Sequence, residues 1–570
     1  MTHYDHTHGD AMYAEMQAEY STDNFLVHTF GEDPKNWKEA MASKYADQWI
    51  AARCAEQASF ARHNVCTVVP REYAAGKKVF NARVVLKIKI NPPTEEHPQG
   101  SIEKFKYRCT VAAFTKMLMQ GIDYADKYAS TVRWNSIKIM IAMAVMYDYD
   151  IVLYDIATFF LYGVLDHEVF MEQAEGWDTA EQPRSHYIWL LNKTLYGLPE
   201  ASCRAQIVLK GALIDNGEFK ATTADDCVYV STDEVDYAAL GCHVDDIVGV
   251  GSAAGLDKIK TTLSGTFDIT EKRNPDMITG VQVERNRPMK WLKLHQGFYI
   301  TALLAKFGMS DCTPCSTPMD PGTARALMML PTEPADPVAC ALYQSLIGCY
   351  IWLFKTRPDF LFTGNLGSRF LKCATRAHYD LMVGRPMRYL KGTINNGIVF
   401  QAGSGNWTLS GSADSDLAGD LATARSTSGY YTCVGRFGAV SCSSVLEKKV
   451  STSTGQAETY ALQQLVKEVV WARHLMQDLR IPCAMPTIVL TDNNGVFKQS
   501  TKTINHTAAK HYRMAQAYIR QKGEDESIKV EQIDTKLNAS DMMTKALHAP
   551  LFNRHRYRIM GPQLPGIEAY

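Results

Sequence analysis

Net charge is what this sequence has least of. Its 60 Lys and Arg stand against 61 Asp and Glu, a formal balance of -1. A polyanion therefore meets no global attraction, and contact with one would need local basic patches and bound metal ions. Long apolar runs are missing too. The longest, Ile139 to Met146, falls far short of the ~20 residues a membrane helix needs. The polar, His-rich opening Met1 to Asp10 lacks the apolar stretch of a secretion signal. These absences predict a soluble, intracellular protein with no membrane partner. The 14 cysteines are scattered, which predicts free thiols in a reducing compartment. Cys312-x-x-Cys315 has no second pair at zinc spacing, and Pro314 sits inside it, so it does not read as a metal site. His3, His6 and His8 read as a solvated cluster.

What is present is ordinary globular material. The chain has 570 residues, 46% apolar and 21% charged, enough for about three to five structural units at roughly 100–200 residues each. Residues 1–30 show no period and read as a flexible tail. From Asp33 to Pro70, residues such as Trp37, Met41, Tyr45 and Trp49 recur at helical spacing. Val79 to Ile90 and Phe105 to Phe114 read as a long hairpin joined by the Pro-rich turn Asn91 to Gly100. Ser136 to Met146 reads as a helix, and Ile151 to Ile156 and Tyr237 to Val250 as buried strands. The prolines of Thr313 to Pro337 suggest a linker. Later, Trp407 to Ala413, Gly429 to Ser443 and Thr487 to Thr491 read as strands. Gly455 to Leu479 is the strongest helix, with Ala461, Leu465, Val469, Ala472 and Met476 on one face and Ser453-x-x-Gln456 as a capping box.

The chemistry lies in carboxylates set among apolar residues. Cys242-His243-Val244-Asp245-Asp246-Ile247-Val248 holds two adjacent acids, and Leu153-Tyr154-Asp155-Ile156 holds one. Burying a carboxylate without a partner is costly, so these acids must be protonated, paired or bound to metal. Three brought together suit Mg2+, which prefers hard oxygen ligands. Two such ions can activate a hydroxyl and steady a leaving oxygen in phosphoryl transfer. The competing reading of Asp245-Asp246 is a turn or a helix cap. A second set comprises Asp414, Glu458 in the first turn of the strongest helix, Asp492 at a strand end, and Asp541. Strand ends and a helix start can converge in an α/β layer, where four carboxylates would require divalent cations. Singly, Glu458 also suits a helix dipole, and Asp492 and Asp541 suit caps.

These blocks, in this order, resemble the reverse transcriptase and RNase H region of copia-type LTR retrotransposon polyproteins. Val244-Asp245-Asp246 resembles the family's YVDD box, with His243 in place of Tyr. Ser101 to Arg108 resembles its fingers segment, followed by Gln120 to Tyr124. Asp155 to Leu165 with Val169 to Gln173 resembles "DVNNAFLHGDL…VYMEQ", and Leu195-Tyr196-Gly197-Leu198 resembles "LYGLKQA". Met309 to Met319, Thr356 to Asp359 and Arg388 to Thr393 continue the likeness. Ala413 to Asp420 with Arg425 to Tyr430 resembles "SDADWAGD…RSTSGY", and Thr454 to Leu462 resembles "STEAEYIAL". Thr491 to Asn494 is similar to "CDNQ", Lys510-His511 to "KHI", and Asp541 to the Asp of "LADILTK".

The resemblance implies an α+β chain: a right-hand polymerase of fingers, palm and thumb over residues 31–320, a connection over 321–402, and an α/β RNase H-like domain over 403–570. It implies that Asp155, Asp245 and Asp246 hold two Mg2+ ions, with Mn2+ as the alternative, for RNA-directed DNA polymerisation. Phe160 would exclude a ribose 2'-OH, and Lys106 and Arg108 would meet the triphosphate, as ammonium and guanidinium groups suit phosphate oxygens. Asp414, Glu458, Asp492 and Asp541 would hold two more ions for hydrolysis of the RNA of a hybrid, with His511 handling a proton or product departure. The implied partners are an RNA template, a DNA primer, an RNA–DNA hybrid, dNTPs and other products of the same polyprotein. The implied location is a cytoplasmic particle and the nucleus.

The chain departs from the family pattern at His243, at Pro199-Glu200 where Lys-Gln is usual, at Gln206 where an aromatic is usual, and at Gln456. It carries no protease motif, zinc knuckle or integrase-like His/Cys cluster, as expected of a fragment, a separate module or a degraded copy. Two rival readings remain. One is a decayed or repurposed copy that only binds nucleic acid. The other is a dinucleotide enzyme, suggested by Gly249-x-Gly251-x-x-x-Gly255 after a strand.

Overall fold

The computed structural model describes residues 33–91, 101–112, 129–332, 337–403, 408–501 and 512–563. The expected tail, most of the expected turn before Ser101, and His511 lie outside the described residues. The protein mixes helices and strands in two compact units. One spans residues 1–132, 152–221 and 226–272, the other 133–151, 222–225 and 273–570.

In the first unit, helix α1 (Ala46–His63) follows the predicted spacing and ends at Asn64, which takes the left-handed conformation (φ 50°). The chain then enters strand β1 (Cys66–Pro70), so the helical reading ran several residues too far. Strands β2 (Val79–Phe80), β3 (Ala82–Asn91), β4 (Ser101–Val111), β5 (Asp150–Ile156), β6 (Val164–Met171) and β7 (Tyr187–Lys193) follow. One sheet has the order β1-β7-β6-β2, and β3 and β4 form the predicted hairpin. In it Lys87 faces Lys106 and Lys89 faces Lys104. Like charges directly opposite are unfavourable.

A six-stranded sheet adds β8 (Phe219–Ala221), β9 (Val228–Ser231), β10 (Ala238–His243), β11 (Asp246–Gly251) and β12 (Ile269–Arg273), in the order β12-β5-β11-β10-β9-β8. The single strand expected over Tyr237 to Val250 is thus a hairpin, broken at Val244 and Asp245. Helices α2 (Ala201–Ile214) and α3 (Ala253–Ser264) pack on it through Leu209, Leu213, Leu256, Ile259 and Leu263, all buried.

The second unit holds the sheet β13 (Met277–Ile278), β14 (Val281–Asn286), β15 (Trp291–His295) and β16 (Gly397–Gln401). The segment expected to be a linker contains a helix, Pro321–Met329. Asp320 caps it and Pro321 occupies its first turn, so the proline marks a helix start. Helix α4 (Pro337–Trp352) follows. The stretch Pro337–Lys355 is long and apolar enough, by length and composition alone, to cross a membrane, which corrects the expectation that nothing comes near that length. Here it serves the core: Tyr343 donates to the Gly367 carbonyl and Tyr350 to that of Met382.

Helix α5 (Arg376–Gly392) carries Tyr389 to a fully buried ion pair. The Arg357 guanidinium clasps Asp359 at 2.9 and 2.8 Å and also donates to Thr393. Both charges are almost wholly out of solvent. The last sheet comprises β17 (Leu409–Asp416), β18 (Thr427–Val434), β19 (Ala439–Leu446), β20 (Thr487–Thr491) and β21 (Ile528–Gln532), in the order β19-β18-β17-β20-β21. Its first three strands are antiparallel, and β20 and β21 run parallel to β17. Gly429 to Ser443, read as one strand, is again a hairpin. Helix α6 (Thr454–Asp478) covers the sheet. Ser453 accepts from the Gln456 amide as a cap should, but the Gln456 side chain bonds Thr452, so only half of the expected box forms. Helices α7 (Asp541–Thr544) and α8 (Ala549–Met560) close the unit.

Two predictions follow from buried charge. Asp359→Asn strands Arg357 without a counter-ion and should cost about 3–5 kcal/mol, read by chemical denaturation; a loss under about 1 kcal/mol would contradict this account. The second concerns Glu56 on α1, buried where it accepts the Cys109 amide at 3.2 Å. Burial pushes its carboxyl up to about 7, against the lowering by that amide and by Arg108. Between about 4.5 and 7 the folded chain keeps a proton that the unfolded chain has lost. Stability should therefore fall by roughly 3 kcal/mol as pH rises through that window. Glu56→Gln should flatten the difference in melting temperature between pH 5 and pH 8; an unchanged difference would refute it.

Candidate active sites

The first site is at the end of β5. Its apolar run delivers Asp155 on an accessible position, while the β10–β11 hairpin delivers Asp245 and Asp246, both half-buried. Pairing stops at His243 opposite Asp246, leaving Val244 and Asp245 as a two-residue turn. Val244 holds φ at +60°, a conformation that costs a β-branched residue on the order of 1–3 kcal/mol. The Asp245 carbonyl accepts the Ile156 amide at 3.1 Å, which fastens the turn beside Asp155. The Asp155 carboxyl lies above its usual range, through desolvation by surrounding protein and then the charge of Asp245. Lys106, Lys89 and Lys104 pull it back down.

Those lysines belong to the β3–β4 hairpin. Desolvation, then Arg108, Lys89 and Lys104, press the Lys106 ammonium down to about 8, so it is poised to gain from an anion. The Arg108 guanidinium lies 5.0 Å over the Tyr196 ring, and Tyr196 packs edge-on against Phe160 at 5.1 Å. Phe160 is half-buried, in a short turn of helix, with its carbonyl held by Thr194. The structure thus links Arg108 to Phe160 through Tyr196, a residue that the sequence reading quoted without a role.

The family departures nearby have structural work. Glu200 is buried and meets Arg204 at 3.0 Å and His167 at 3.3 Å, and Gln206 donates to the Ser130 carbonyl. The dinucleotide reading fails on space. A methyl placed on Gly251 or Gly255 would lie 2.3 Å from the Tyr237 carbonyl oxygen, so the protein's own backbone fills the gap a pyrophosphate would need.

The second site is tighter. Ligand atoms of Asp414, Glu458 and Asp492 all lie within 4.8 Å of one another. Among the described residues the other such group is Asp166, His167 and Glu200, already tied to Arg204; the Asp155 set does not gather so closely. Asp414 lies two residues before the end of β17, opposite Gly429. A methyl on Gly429 would lie 2.6 Å from the Met543 Cβ, so this glycine lets α7 lie on β18 and brings Asp541 in. Thr544 donates to the Asp414 carboxylate. Lys545 Nζ is 2.9 Å from Asp541 Oδ1 and 3.5 Å from Asp414 Oδ2.

Glu458 lies in the second turn of α6, not the first as the sequence suggested, so it answers to the site rather than to the helix dipole. One of its oxygens accepts the Ser415 amide, while Oε2 is buried with no hydrogen-bond partner. Burial first, then Asp414 and Asp492, hold this carboxyl far above its usual range. Burial and Asp414 raise Asp541 as well. Carboxylates this crowded cannot all ionise without cations, and an orphaned buried oxygen is a ligand in waiting, so the residues fit divalent ions.

Sequence reasoning missed Lys545, although its i,i+4 spacing from Asp541 was legible. It also missed Asp416, half-buried and near Lys545 and Asp414. A third is His555 on α8, buried, with Nε2 unpartnered. Desolvation, then Arg554, Arg558 and Lys545, press it down to about 4, against Asp414. Nothing in its local pattern announced it.

Residues 68–321 match the family described as "Reverse transcriptase (RNA-dependent DNA polymerase)". The chain is 30% identical over 534 residues to the retrovirus-related Pol polyprotein from transposon TNT 1-94 of Nicotiana tabacum, covering 93% of this chain and 39% of that one. It is 28% identical to the corresponding polyprotein from transposon RE1 of Arabidopsis thaliana, covering 82% and 31%. The chain thus spans well under half of these relatives. An uncharacterized mitochondrial protein of Arabidopsis thaliana is 31% identical over 43% of this chain and 98% of its own length. A solved RNase H1 in complex with an RNA/DNA hybrid overlaps 24% of this chain at 15% identity and a TM-score of 0.19, too slight a likeness to bear weight. On sequence, motif order and length of match, the chain belongs to the retrovirus-related Pol polyproteins of copia-type transposons.

Proposed function

We propose that this chain copies RNA into DNA at the Asp155 site and cuts the RNA of the resulting hybrid at the Asp414 site. The observation that carries the reading is a tight carboxylate cluster around an orphaned buried glutamate, with a second, looser set of acids on a strand and the strained hairpin next to it, facing basic residues of another hairpin. In this reading the strands β1–β4, β6 and β7 are fingers, the six-stranded sheet is the palm, and thumb and connection follow up to residue 402. Residues 403–570 form an RNase H-like domain, supported by the sheet order β19-β18-β17-β20-β21 with its mixed polarity.

At the first site, Asp155, Asp245 and Asp246 would hold two Mg2+ ions. Bound there, such ions lower the charge barrier to joining a primer hydroxyl to a dNTP α-phosphate. The protein supplies the rest by position. Lys106 and Arg108 meet the triphosphate, with Arg108 held flat by Tyr196. Phe160, backed by the same ring, closes the space beside the sugar against a 2'-OH. At the second site Asp414, Glu458, Asp492 and Asp541 would hold ions for hydrolysis, and the 2'-OH groups identify the strand to be cut.

Asp245→Asn should lower dNTP incorporation on a primed RNA template by about a thousandfold or more, the scale of the several kcal/mol that a bound ion supplies, and leave hybrid cleavage intact. Asp492→Asn should do the reverse. Loss of both activities by either change in folded protein would sink the two-site assignment. Inactivity of the unaltered, folded chain in both assays would leave a binding-only descendant.

A further inference from the structure

Cations in the second site are not equally free to enter. The Lys545 ammonium sits against Asp541 and Asp414, at 2.9 and 3.5 Å. Both acids are almost fully buried, and Lys545 follows directly on α7, the turn that carries Asp541. On the far side of Asp414 the picture changes. Glu458 Oε2 has no partner, and among the described residues no Lys, Arg or His lies within ion-pair distance of Glu458 or Asp492. Lys545 thus lies against Asp541 and Asp414, and among the described residues its charge reaches Glu458 only from beyond ion-pair distance.

We infer that Lys545 is a built-in competitor for the cation position between Asp414 and Asp541, holding those carboxylates together in the metal-free chain and leaving when a divalent ion bridges them. A Mg2+ ion takes carboxylate oxygens at about 2.0–2.1 Å. Asp414 and Asp541 would hold an ion through carboxylates that now face the Lys545 ammonium, and two cations at contact distance in a partly buried setting repel each other. Glu458 and Asp492, among the described residues, have no ammonium, guanidinium or imidazole at that distance. The two affinities should therefore differ: an ion held by Glu458 and Asp492 would meet no cation at contact distance among the described residues, and one held by Asp541 would have to displace Lys545. Lys545 lies half exposed at the rim of the cluster, so its flexible stem has solvent to swing into. This inference rests on the reading of the cluster as a metal site.

The test is Mn2+ binding followed by electron paramagnetic resonance in the full chain carrying Asp155→Asn and Asp245→Asn, so that the second cluster is counted alone. Adding Lys545→Met should tighten the weaker step about tenfold and change the stronger by less than about twofold. It should also lower the melting temperature of the metal-free chain, with Mn2+ restoring it. A second measurement uses the unaltered chain and does not depend on how the variant folds. Modification of Lys545 by an amine reagent, read by mass spectrometry, should be slow without metal and severalfold faster in Mg2+. Equal Mn2+ affinities with and without Lys545, and labelling indifferent to Mg2+, would overturn the inference while the metal site stands. No bound Mn2+ in either chain would overturn the metal-site reading and the inference with it.

Discussion

Concentrated negative charge organises both sites. A carboxylate set among apolar neighbours needs a proton, a partner or a metal, and this chain gathers several where few partners exist. At the Asp155 site the answer is a basic hairpin that moderates the Asp155 carboxyl, at the expense of facing lysine against lysine. At the Asp414 site it is lopsided: Lys545 serves one edge, and Glu458 is left with an oxygen that nothing satisfies.

The surrounding architecture exists to impose that crowding. Val244 is forced into a conformation that its β-branched side chain resists, and the Ile156 amide holds the turn in place. Gly429 gives up a side chain so that a four-residue helix can lie on a strand. Away from the sites, one buried charge network is closed, that of Arg357, Asp359, Thr393 and Tyr389. Glu458, among its crowded acids, keeps an oxygen without a hydrogen-bond partner among the described residues.

Much of this was legible in the sequence, for physical reasons that can be named. The helix over Thr454–Asp478 shows because a buried face at helical spacing leaves a clean periodic trace. Asp155, Asp245 and Asp246 stand out because acids interrupt apolar strands. The hairpins at 238–251 and 427–446 read in the sequence as single strands, although Asp245-Asp246 also suits a turn and Gly435 and Gly438, both at positive φ, flank the second turn. Pro321 misled, since a proline that opens a helix resembles one that breaks a chain. Lys545, Asp416 and His555 acquire their meaning only from what the fold sets beside them, which no local pattern carries.

The central claim is that the crowded carboxylates are cation sites. Anomalous diffraction from crystals grown in Mn2+ tests it most directly. The account predicts peaks at the Asp414–Glu458–Asp492 cluster and beside Asp155, Asp245 and Asp246. Saturating Mn2+ with no peak at either position, and with Glu458 Oε2 still unpartnered, would contradict it.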